Sequence, residues 1–130
     1  MRAAASVTAS RIGTLVTTSL DRDSPSPVTQ AFLKDFRAAY NYGADMVGAS
    51  TFTATAIAIE GLKKTGGKGG EALKKAIESG TFSTPIGTLT FNDLHEVKKD
   101  IQVQVVKGKA FHRHSVISDP VLLAPPTKAK

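Results

Sequence analysis

Apolar residues in this chain recur at helical spacing over most of the first eighty positions and at alternating spacing after them. The opening segment, Ile12-Gly13-Thr14-Leu15-Val16-Thr17-Thr18, is β-branched and apolar. It runs into Asp21, Asp23, Ser24, Pro25 and Pro27, which reads as a short strand entering a loop. Ser26 is placed to cap a helix and Pro27 to open it. Ala31, Phe32, Phe36, Ala39 and Tyr40 share a face of that helix, and Gly43 is its expected stop. Met46 to Lys64 is apolar or small on nearly every side, with Ala49, Phe52, Ala54, Ile57, Ile59 and Leu62 broken only by Glu60, Lys63 and Lys64. This pattern predicts a buried central helix that needs a large partner surface.

Gly66-Gly67-Lys68-Gly69-Gly70 ends that pattern. A shorter helix follows from Glu71 to Ser79, with Ala72, Leu73, Ala76 and Ile77 on one face and Gly80 as its stop. From Thr81 the period becomes two. Ile86 to Phe91 forms a strand, and Asn92-Asp93 the turn after it. Ile101, Val103 and Val105 alternate with Gln102 and Gln104; Lys107-Gly108-Lys109 then turns the chain into Ala110 to Ile117, with Phe111, Arg113 and Ser115 on one face. The expected fold is therefore α/β in class, mixed α+β within these residues, with helices packed on a few strands and a C-terminal β-hairpin. Residues 1–11 read as an extension and 118–130 as a Pro- and Lys-rich tail expected to be disordered at its end.

Composition narrows the functional classes. The chain has 130 residues and no Cys, so it has no disulfide framework, thiol nucleophile or thiolate metal site. No stretch approaches the roughly 20 apolar residues that span a bilayer, and residues 1 to 19 lack an apolar run long enough for a secretory signal. Those residues hold Arg2, Arg11, several Ser and Thr, and no acid, a pattern with a loose likeness to an organelle transit peptide. The net charge of +6 would suit a nucleic-acid binder. Against that, Lys63, Lys64, Lys68, Lys74, Lys75, Lys98, Lys99, Lys107 and Lys109 are scattered over helix ends and turns, with no Arg-rich stripe or aromatic stacking platform.

Catalytic chemistry finds no anchor. The Gly66–Gly70 run follows a helix instead of a strand, and Lys68 precedes Gly69 where a phosphate-binding loop requires Ser or Thr, so it reads as a helix connection. His112 and His114 sit two apart on a strand and could offer two metal ligands on one face, but neither His95 nor Asp119 stands at a spacing that supplies the third. No Gly-x-Ser-x-Gly elbow is present. Glu71, Glu78, Asp93, Glu96 and Asp100 fall at element ends or turns, where solvation or helix-dipole roles account for them. No enzyme activity, metal or cofactor is expected.

Five segments in order carry a family resemblance: the strand Gly13-Thr14-Leu15-Val16, the helix Ala31 to Tyr40, the small-residue helix, the short helix Ala72 to Glu78, and Phe82-Ser83-Thr84-Pro85-Ile86-Gly87-Thr88-Leu89-Thr90-Phe91-Asn92-Asp93. The closing hairpin Val103-Gln104-Val105-Val106-Lys107-Gly108-Lys109 extends it. Residues 12 to 117 resemble the C-terminal region of the leucine/isoleucine/valine-binding family of type I periplasmic binding proteins. Two departures stand out: Phe52-Thr53-Ala54 replaces the family's Tyr-Asp-Ala, and Ala44 stands in its Pro region.

The resemblance implies a partial lobe of a two-lobed fold whose cleft captures an amino acid or similar solute for the membrane subunits of an ABC transporter in the periplasm. It implies that Phe52 lines that cleft, and that the main contacts to the solute's charged groups lie on other parts of the full fold. The 130 residues alone are then expected to self-associate and not to bind solute. Two rival functions are a small basic nucleic-acid-binding protein and an interaction module that assembles with another chain.

Overall fold

A computed structural model describes residues 13–123. The extension at 1–11, Ile12 of the first strand and the tail from 124 onward lie outside the described residues. Strand β1 (Leu15–Thr18) is followed by helices α1 (Pro27–Tyr40), α2 (Met46–Lys64) and α3 (Gly70–Glu78), and then by β2 (Phe82–Thr84), β3 (Gly87–Phe91), β4 (Val97–Lys98), β5 (Ile101–Lys107) and β6 (Ala110–Ile117). The strands form two antiparallel sheets of three, ordered β1-β5-β6 and β2-β3-β4.

Pro27 opens α1 as expected, but the Ser26 hydroxyl makes no capping bond. The Ser26 carbonyl instead accepts from the Gln30 amide at 3.0 Å. The helix stops at Asn41, not Gly43. Asn41 takes the left-handed conformation (φ 58°) and its amide reaches the Arg37 carbonyl at 2.9 Å, a role that Asn tolerates through its short polar side chain. In α2, Asp45 is the cap and accepts from the Gly48 amide at 2.7 Å.

The expectation of all-round burial for α2 is corrected. Only Ala49, Thr53, Ile57 and Gly61, four residues apart, are buried, while Val47, Phe52, Ile59 and Leu62 are exposed. The buried stripe meets α3 and β2, with Gly61 drawn close to Leu73 and Ile77. Helix α1 meets α2 beside this stripe at Gly48 and Phe52, and Val47, Ile59 and Leu62 stay in water. The core beneath it is Leu20, Phe32, Ala44, Ala49, Ile57, Phe82, Ile86 and Leu89. Gly67 (φ 84°) closes the end of α2, its amide donating to the Leu62 carbonyl at 2.8 Å.

Two short strands, β2 and β4, add to those the alternation predicts. The final hairpin forms on the expected turn, but its alternation breaks. Val103 pairs with Ser115 and Gln104 with Arg113, which leaves His114 as an unpaired bulge. Arg113 and Ser115 therefore do not continue one face in the simple alternation expected for them.

Candidate functional site

Four aromatic side chains converge where α1 passes the first half of α2. Phe32, Phe36 and Tyr40 recur every four residues along α1, the spacing that stacks them on one face. The Phe52 ring lies 5.0 Å from Phe32, Phe32 lies 5.6 Å from Phe36, and Phe36 lies 4.7 Å from Tyr40 and 5.5 Å from Tyr42. Gly48 makes this crossing close, because a Cβ there would sit 3.1 Å from the Phe36 ring. Phe32, Phe36, Tyr40 and Phe52, with Ala31, Asp35, Ala39 and Pro85, line a mostly apolar groove of about 500 Å³. Phe52 is 51% exposed at its mouth, whereas Phe32 is buried beneath it. The arrangement can hold an apolar body by contact and ring stacking. The sequence carried the α1 stripe as a core-facing pattern, and nothing in it marked the stripe as a groove wall.

A second cleft, about 540 Å³, opens between β3 and β5 and is lined in part by Thr88, Thr90, Lys98, Lys99 and Leu123. Burial lowers the Lys99 pKa from its ordinary value, and the neighbouring Asp100 opposes the shift. Among the described residues its walls lack the aromatic surface that could grip a ring, so the aromatic groove is the stronger candidate.

The loop after β1 ties the β1-β5-β6 sheet to the helices, a role that sequence reasoning missed. Asp21 is 5% exposed and receives Arg113 through Nε at 2.6 Å and through a second contact from Nη2. Asp23 accepts from the Arg113 amide at 2.7 Å and lies 3.4 Å from His112. Between them, Arg22 donates to the Ala44 carbonyl at 2.8 Å and to buried Gln104 at 3.4 Å, with its guanidinium 5.5 Å from the centre of the Phe111 ring. Desolvation lowers the Arg22 pKa, and Asp45 opposes it. Ala44 precedes the cap of α2, so this network reaches the helix that carries Phe52.

The histidines take separate partners. His112 lies beside Asp23, His95 lies 3.0 Å from Glu78, and Asp119 accepts from the Val121 amide at 2.8 Å. Among the described residues no three His, Cys, Asp or Glu side chains come together as metal ligands.

Comparison with protein families matches residues 3–110 to the periplasmic binding protein family. The chain belongs to that family. Solved structures agree in fold. An ABC transporter solute binding protein from R. palustris, in complex with benzoate, is 21% identical with a TM-score of 0.76, and the match covers 86% of this chain and 32% of that one. A leucine binding protein from Thermotoga maritima is 18% identical (TM-score 0.72, 84% and 32%). A leucine-, isoleucine-, valine-, threonine- and alanine-binding protein from Brucella ovis is 23% identical (TM-score 0.70, 84% and 32%). This periplasmic binding protein chain thus spans about a third of the length of these structures. No curated protein matches it. The expected fold class, a partial periplasmic binding protein fold of mixed α and β elements, stands.

Proposed function

We propose that this chain supplies part of the solute-binding component of an ABC transporter, corresponding over residues 12–117 to the C-terminal region of a leucine/isoleucine/valine-type binding protein. Its solute is an amino acid or a similarly small organic molecule, its working compartment the periplasm, and its macromolecular partner the transporter's membrane subunits. The observation that carries this reading is the half-exposed Phe52 at the mouth of an aromatic groove in a chain of this family. Phe52 acts by apolar contact with the solute and biases selectivity without changing it chemically.

The test is Phe52→Ala placed in a two-lobed, ligand-competent context. Affinity for leucine is expected to fall about tenfold, the loss of one good apolar contact. Thermal unfolding without solute separates this from packing. A lowered Tm with unchanged affinity would assign Phe52 to the helix interface alone. A second reading, an interaction module that docks on another chain, is favoured by the uncovered face of α2, where Val47, Ile59 and Leu62 are exposed. It differs in requiring a protein partner and no solute.

A further inference from the structure

We infer that the aromatic groove between α1 and α2 selects an organic cation over an organic anion, with the charged group at Asp35 and the apolar body on Phe32 and Phe52. This deepens the solute-binding reading and rests on it. Among the described residues Asp35 is the one charged side chain on the groove wall. Lys34 and Arg37 flank it along α1 but do not line the groove, and Asp35 makes no ion pair among the described residues. Ala31 and Ala39, one turn to either side, also line the wall, and their small side chains leave the carboxylate uncovered.

The neighbouring rings add to the same preference. Phe36 and Tyr40 line the same wall as Asp35, and an aromatic face carries the negative end of its quadrupole. An ammonium group entering here meets a carboxylate and aromatic surface, which attracts cations best at its faces. A carboxylate group meets the same features as repulsion, and among the described residues no Lys or Arg on the wall offsets it. The groove's charge therefore sorts with a solute that carries an ammonium group and against a bare aromatic carboxylate.

The chain has two Tyr, at 40 and 42, and no Trp, so its intrinsic Tyr emission reports from beside this groove. Three probes of one shape that do not absorb in this range are cyclohexylmethylammonium, cyclohexylmethanol and cyclohexanecarboxylate. Titrated into the full 130-residue chain up to the millimolar range, the ammonium probe is expected to bind about tenfold tighter than the carboxylate, with the gap shrinking as salt is added. Asp35→Asn, with helix content checked by circular dichroism, is expected to close the gap while keeping the affinity for the alcohol. If the carboxylate binds as well as the ammonium, or if the gap survives Asp35→Asn, the charge preference is overturned and the groove reading stands. If none of the three changes the Tyr emission, the groove of this chain does not take these probes and the charge preference is overturned, while Phe52 is decided separately by Phe52→Ala in the two-lobed context.

Discussion

Asp21 and Arg113 are unequal partners, and that inequality sets what each substitution does. The Asp21 side chain is 6% exposed and the Arg113 side chain 37%. Removing the guanidinium in Arg113→Met strands a buried carboxylate and is expected to cost about 3–5 kcal/mol. In Asp21→Asn the guanidinium can rehydrate and the amide oxygen still accepts a hydrogen bond, so the expected cost is about 1–2 kcal/mol. Urea midpoints of the two variants check this, and equal losses would contradict it. Lys99 gives a pH signature. Its folded pKa is depressed below the unfolded value. Between the two, the unfolded chain binds more protons, so stability rises with pH across that alkaline interval and the desolvation penalty is fully present below it. Denaturation at a series of pH values should show this slope in the wild type and lose it in Lys99→Met.

At the scale of elements, close approach decides how α3 hands over to β2. Gly80 lies against the Phe82 ring, which is buried in the core. A Cβ on residue 80 would stand 2.5 Å from Phe82 Cε2 and 3.0 Å from the Ala76 carbonyl oxygen. Neither can yield cheaply: the ring is packed and the carbonyl is backbone. Gly80→Ala is therefore expected to destabilise by about 1–3 kcal/mol, as overpacking does. A thermal melt of that variant matching the wild type would contradict the packing. Helix α2 illustrates the opposite case. Its sequence is apolar all round, yet only the stripe facing α3 and β2 is buried, because burial requires a partner as well as an apolar side chain.

For the molecule as a whole, that uncovered surface is the main energetic feature. Val47 at 66% and Ile59 at 48% exposure, with Tyr40, Tyr42 and Leu62, leave apolar area in water where a folded domain ordinarily buries it. The 130-residue chain is expected to self-associate through this surface and to bind an amino acid more weakly than about 1 mM, a binding free energy near 4 kcal/mol. Light scattering after size exclusion should give a species larger than one chain, and Val47→Glu with Ile59→Glu should shift it toward the monomer. A compact wild-type monomer that binds an amino acid at micromolar concentration would reject both statements.

Local patterning alone placed α2 at Met46–Lys64, opened α1 at Pro27, and put the last hairpin on the turn at Lys107–Lys109. Those features depend on the period of apolar residues and on Pro and Gly geometry, which are properties of neighbours in the chain. The extended series of segments also carried the family, because their order is written in the sequence. What tertiary structure decided involves residues far apart. The Arg113–Asp21 contact joins positions separated by 92 residues, and the His114 bulge is set by pairing with β5. Phe52 was legible as an aromatic on an apolar helix, but its place at the mouth of a groove follows from how α1 crosses α2. That crossing is fixed by packing around Phe36 and Gly48, whose contact no periodicity encodes.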